Sequence, residues 1–164
     1  MISPDKDINI ASLGKLEKYA FCGTSIRGIS EGEIDLIANL ANATAILHNT
    51  FGWWWVGFYL VRDGELVLGP FQGQPACVRI NIGQGVCGAG AAKRETVIVP
   101  NVHEFPGHIA CDSASNSEIV VPLVKEDRLI AVLDLDSPVV SRFDQEDAAG
   151  LAQLVRILLS SLSA

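Results

Sequence analysis

Six side chains in this sequence have the types and spacing for redox and proton chemistry, three cysteines and three carboxylates. Cys111 opens the stretch CDSASNSEIVVPL, where small polar residues follow the thiol and Glu118 stands directly before a hydrophobic run. A cysteine among apolar residues is a small, inert hydrophobe, and Cys22 is read that way. Cys111 differs, because Asp112, Ser113, Ala114, Ser115 and Asn116 can present a row of backbone N–H groups. Such a row binds an anion or stabilises a thiolate. Farther along, the alternation in LIAVLDLD places Ile130, Val132, Asp134 and Asp136 on one face of a strand. Two strand residues set these carboxylates roughly 7 Å apart, pointing the same way. They are either solvated residues ahead of Ser137-Pro138 or a pair facing a pocket. If Glu118 on the preceding strand faces the same space, three carboxylates share it, and like charges that close raise at least one pKa. A proton is then available near neutral pH, and the same cluster binds an ammonium group.

Cys77 and Cys87 lie in loop-like or strand-edge contexts. No CxxC pair occurs, which excludes a zinc ribbon and a thioredoxin-type motif. The spacings of Cys77, Cys87, His103, His108 and Cys111 match no usual zinc pattern, so no metal is expected, and the two histidines read as loop hydrogen-bonders. Gly83-Gln84-Gly85-Val86-Cys87-Gly88 has the G-x-G-x-x-G form, but a dinucleotide site needs a βαβ unit and an acidic residue ending its second strand. Glu104, at the right distance, falls in a His/Pro/Gly loop, so the glycines are read as permitting a tight turn and close packing. In the run Trp53-Trp54-Trp55, alternation puts Trp53 and Trp55 on one face with Gly57 and Tyr59. One strand face must be core, and the other can line a cavity.

The elements that position these residues follow from periodicity and turn chemistry. Apolar residues at helical spacing predict a helix over 31–50, with Ser30 as its N-cap. Residues 51–71 read as a hairpin turning at Arg62-Asp63-Gly64-Glu65, and ACVRINI as a third short strand. GQGVCGAGAAKRE predicts a glycine-led turn into a short helix, TVIVPNV a strand, and HEFPGHIACDSASN a long loop. EIVVPLV and LIAVLDLDS are two further strands, joined by Lys125-Glu126-Asp127-Arg128. Asp144 caps an amphipathic helix running to Ser160. Helix, about six strands with one small helix inserted, then helix is an α+β pattern: an antiparallel sheet with terminal helices on one face. No linker or internal repeat divides residues 1–164, so one domain is expected. The formal charge of −7, with no Lys/Arg cluster, disfavours nucleic acid and anionic membrane as partners. The absence of a signal-peptide pattern or a long apolar run predicts a cytoplasmic protein whose thiols start reduced.

Taken together, GPFQGQPACVRINIGQGVCG (69–88), FPGHIACDSASNSEIVVPL (105–123), WVGFYL (55–60) and LDLDSP (133–138) closely resemble the free methionine-(R)-sulfoxide reductases, which are single GAF-domain enzymes. The resemblance covers nearly the whole chain. It implies a GAF-like fold, with Cys111 as nucleophile, Cys77 as main resolving partner and Cys87 as a second redox cysteine. It also implies that Glu118, Asp134 and Asp136 form the substrate and acid-catalysis cluster, and that Trp55 covers the substrate's methyl end. The substrate carboxylate is then expected on the backbone from Cys111 to Asn116, and its ammonium at Glu118 and Asp136. No cofactor is implied beyond thioredoxin as external reductant, and the apolar terminal helices permit a homodimer. The other class of function that the residues allow is a non-catalytic GAF module that binds a small ligand or senses redox state through Cys77 and Cys111.

Overall fold

The architecture is set by strands that turn back on themselves at left-handed residue pairs. In the computed structural model, which describes residues 9–109 and 113–162, the elements are α1 (Lys15–Ser30), α2 (Leu36–Phe51), β1 (Trp55–Arg62), β2 (Glu65–Gln72), β3 (Arg79–Asn81), α3 (Gly85–Lys93), β4 (Val97–Val99), β5 (Ser117–Lys125), β6 (Arg128–Ser137) and α4 (Gln145–Ser161). Asp63 and Gly64 have φ of 52° and 84°, the pair of positive values that closes a two-residue hairpin between β1 and β2. Glu126 and Asp127, at 49° and 60°, do the same between β5 and β6. The strands form one antiparallel sheet in the order β3-β2-β1-β6-β5-β4.

Both faces of the central strands are covered, which is why β5 and β6 read as almost unbroken apolar runs. On one face, Val56, Phe58, Leu60, Ile119, Val121, Leu123, Leu133 and Leu135 pack against α1, α2 and α4. On the other, Trp55, Tyr59, Val120 and Val132 pack against α3 and the loops. The expected α+β sheet with its terminal helices on one face is therefore present. Among the described residues no helix is long and apolar enough to cross a membrane.

Three local expectations are corrected. The helix expected over 31–50 begins at Leu36, capped by Asp35, whose side chain accepts the Ala38 N–H at 2.8 Å. Ser30 instead ends α1, a separate helix, and its hydroxyl donates to the Ile26 carbonyl at 2.7 Å. Gly32 at φ 76° makes the break that the apolar periodicity alone did not show. Trp53 does not share a face with Trp55: it precedes β1, lies in the helix-side core and stacks on Phe51 at 4.1 Å. Ile130 leaves the face of Val132 because the β5–β6 register shifts between Leu123 and Val124, a bulge that turns Ile130 toward the helix-side core.

Asp147, fully enclosed at the start of α4, ties the N-terminal helix to the C-terminal one. It accepts from the Tyr19 hydroxyl at 2.8 Å and from Lys15 Nζ at 3.1 Å, and closes a capping box with Asp144. Removing the carboxylate leaves a buried phenol and the Asp144 backbone N–H without a partner. Asp147→Ala is expected to lose about 3 kcal/mol of stability in urea denaturation; a loss under about 1 kcal/mol would show that the contact is not structural.

Candidate active site

The register of three adjacent strands builds the acid cluster. Trp55 on β1 pairs with Asp136 on β6, and Asp136 pairs in turn with Glu118 on β5. Two residues along, Gly57, Asp134 and Val120 form the next row. All of these face α3 and the loops rather than the long helices. Glu118 and Asp134 are buried, at 6% and 5% exposure, and Asp136 is half-buried. The three carboxylates, two of them buried, thus share one space as the alternation of β6 and the position of Glu118 lead one to expect.

Helix α3 covers this row and carries Cys87 onto it. A Cβ on Gly90 would stand 2.8 Å from Val120 Cγ1, so only glycine lets the helix pack this closely on β5. Cys87 Sγ then lies 3.9 Å from Glu118 Oε1 and donates to it. The glycines of the G-x-G-x-x-G run serve a turn and a close contact: Gly83 and Gly85 have positive φ, and a Cβ on Gly88 would meet the Asn81 carbonyl at 2.5 Å. No parallel strand pair exists in the sheet to make a βαβ unit.

Burial dominates the electrostatics. It pushes Glu118 well above the usual carboxylate range, and the charges of Asp134 and Asp136 push the same way. Asp134 is raised to about 6 by burial, against hydrogen bonds with Cys87, Glu118 and the Leu135 N–H that hold it down. Burial, then the charges of Asp134 and Glu118, drive the Cys87 thiol well above its ordinary value. Burial thus favours the protonated form of both acids and of the thiol beside them. Oδ1 of Asp134 and Oγ of Ser115 are buried there without hydrogen-bond partners.

The walls of the pocket include residues that the sequence reading left unassigned. The space, about 510 Å³ with its open mouth, is lined by Trp55, Cys87, Ser115, Glu118, Asp134 and Asp136, and also by Tyr59, Ala76, Ile80, His108 and Ile109. Burial, and then the charge of His103, lower the pKa of His108. Tyr59 stacks beside Trp55 at 6.2 Å and donates its hydroxyl to the Cys77 carbonyl at 2.9 Å. Trp55 Nε1 donates to the Gln74 carbonyl at 2.9 Å, so β1 pins the loop bearing Cys77 at two points. The strand period of two places Tyr59 on the face of Trp55, as expected, and the structure gives that face a pocket.

Cys77 is disulfide-bonded, whereas Cys22 and Cys87 are free and buried. Cys111 and Asp112 lie outside the described residues. Of the neighbouring positions, Ser115 lines the pocket and Ser113 is exposed. Asn116 does not offer its N–H to a ligand, because that group donates to the Ser137 carbonyl at 2.8 Å. Its side chain is held by the Pro138 carbonyl and by His103 at 2.7 and 2.8 Å. With His103 engaged there and Cys77 in a disulfide, the conceivable zinc set of Cys77, Cys87, His103, His108 and Cys111 is not brought together among the described residues.

Comparison with known proteins gives the family. Residues 35–161 match the GAF domain family. The chain is 50% identical to the free methionine-R-sulfoxide reductase of Escherichia coli, over 87% of this chain and 87% of that protein. It is 49% identical to GAF domain-containing protein A of Dictyostelium discoideum, over 93% of this chain and 98% of that one. Among solved structures, free methionine-R-sulfoxide reductase from Neisseria meningitidis, determined in complex with its substrate, superposes with a TM-score of 0.89 at 48% identity and covers 92% of each chain. The fold, the buried acid row and these likenesses together place the chain in the free methionine-(R)-sulfoxide reductase family of GAF-domain proteins.

Proposed function

We propose that this protein reduces free L-methionine-(R)-sulfoxide to L-methionine through a cysteine sulfenic acid. The observation that carries the reading is the pocket in which Trp55, Cys87, Glu118, Asp134 and Asp136 converge, with buried carboxyls whose pKa values are raised. A sulfoxide sulfur accepts a nucleophile only as its oxygen is protonated. The thiolate of Cys111 attacks that sulfur while a protonated carboxyl, that of Asp134, donates to the oxygen. Oxygen ends on the Cys111 sulfur as sulfenic acid and methionine leaves as the thioether. The Cys77 thiol then condenses with the sulfenic acid, expelling water and forming a disulfide. A dithiol protein such as thioredoxin, in a reducing cytoplasm, takes up the disulfide by exchange and restores both thiols. The disulfide at Cys77, beside the free thiols of Cys22 and Cys87, supports a redox role for Cys77.

Recognition of a free amino acid follows from charge. The ammonium group lies against Glu118 and Asp136. The carboxylate is taken by the backbone before Asn116 and by the unpartnered Ser115 hydroxyl. Trp55, stacked on Phe71 at 5.5 Å, offers its ring to the S-methyl group. In peptides both termini become amides, so methionine sulfoxide within a chain is rejected.

A thioredoxin-coupled assay with each sulfoxide epimer, free and in a blocked peptide, tests the reading. Turnover is expected with the free R epimer alone. Equal turnover of the S epimer, or of the peptide, would sink it.

A further inference from the structure

Cys87 is the one thiol of the pocket for which the proposed reaction sequence has no obligatory use, and its neighbours form a second kind of site. Its sulfur and one carboxylate oxygen from each of Glu118 and Asp134 all lie within 4.8 Å of one another. The three side chains are 3%, 6% and 5% exposed, and they come from three elements, α3, β5 and β6, packed firmly together. Zinc bonds of about 2.3 Å to sulfur and about 2.0 Å to oxygen set neighbouring donor atoms some 3 to 4 Å apart. The Cys87 Sγ to Glu118 Oε1 distance of 3.9 Å is already at that spacing. A separate observation points to a ligand: Oδ1 of Asp134, enclosed and facing the pocket, has no hydrogen-bond partner. A buried acceptor left so is costly unless something fills its place.

We propose that Cys87, Glu118 and Asp134 form a binding site for a thiophilic divalent cation of the zinc class, and that an ion held there excludes the substrate. One thiolate and two carboxylates are ligands of the kinds zinc takes, and three protein ligands leave the fourth position open to the pocket. Magnesium and calcium are disfavoured, since they call for six or more oxygens and gain little from sulfur. The ion displaces the protons that burial favours on these groups, so its binding releases protons. The binding site stands on geometry alone. Exclusion of substrate rests on the function proposed above, because the ion would take the carboxylate oxygens that the sulfoxide and ammonium need.

Cadmium is the probe, titrated into protein without reductant so that the Cys77 disulfide stays closed. Among the described residues Cys22 and Cys87 are then the free thiols, and Cys22, at 0% exposure, is shut inside the helix-side core. A thiolate-to-cadmium absorption band in the ultraviolet is expected to saturate at one equivalent and to be reversed by zinc. Cys87→Ser is expected to lose the band, and Asp134→Asn to weaken binding by about tenfold or more. Absence of the band in the unaltered protein, or its survival in Cys87→Ser, overturns the site. Since turnover plays no part in this measurement, its failure and failure of the reductase reading are separate results. Free methionine sulfoxide is expected to raise the cadmium midpoint, and an unmoved midpoint with an intact band overturns the exclusion alone.

Discussion

Cys111→Ser is expected to bring turnover of free methionine-(R)-sulfoxide down by at least about a thousandfold, the scale of removing a nucleophile that acts as part of a unit. The other thiols are poorly placed to replace it. Cys22 is sealed in the helix-side core, where burial pushes its pKa up to about 11. Cys87 reaches the pocket, but burial and two neighbouring acids keep it a thiol at neutral pH. Thiols attack as thiolates, so each would react far more slowly than a cysteine ionised at neutral pH. The variant exchanges one sulfur for one oxygen, so its fold is expected to be kept, which a urea midpoint checks. A single-turnover experiment with a sulfenic-acid trap decides the matter. Protein carrying Cys77→Ser should accumulate trapped label on Cys111 after one equivalent of methionine is released. Label on Cys87 would move the nucleophile there.

How much of this was legible beforehand differs from element to element. The placement of Asp134 and Asp136 on one face came directly from the two-residue period of β6, and the register with β5 puts Glu118 beside them. The same period failed at Trp53 and at Ile130, for different reasons. Trp53 lies before the strand starts, where alternation has no meaning, and Ile130 sits at a bulge, where one extra residue reverses the face. Asp63-Gly64 and Glu126-Asp127 marked the hairpins because their backbone conformation restricts residue choice. Helix α1 carried no such mark: its buried Tyr19, Cys22 and Ile26 are few, and what holds it is tertiary, the Asp147 hub on α4. The Tyr59 and Trp55 hydrogen bonds to the Cys77 loop likewise span nearly twenty residues of chain, and no local pattern announces them.

Asp134→Asn separates the acid's role in chemistry from its role in the fold. Asparagine keeps the shape but has no proton to give, so the sulfenic-acid-forming step is expected to slow by about a hundredfold or more. The pH profile should change with it. A carboxyl whose folded pKa is about 6 is a proton donor below that value and a bare anion above it. In the unaltered protein the first step should therefore weaken as pH climbs past about 6. That limb should move or flatten in the variant, and an unchanged single-turnover rate and profile would remove Asp134 from the acid role. Stability should move the other way. Because the folded state holds the Asp134 proton more tightly than the unfolded chain, whose ordinary value is 3.8, stability is fully present below about 4 and declines as pH rises through about 6. The variant escapes that loss, so above pH 6 its urea midpoint should equal or exceed that of the unaltered protein. A buried carboxyl that makes the fold less stable at working pH, yet speeds oxygen transfer there, is what a proton donor in a largely dry pocket must be.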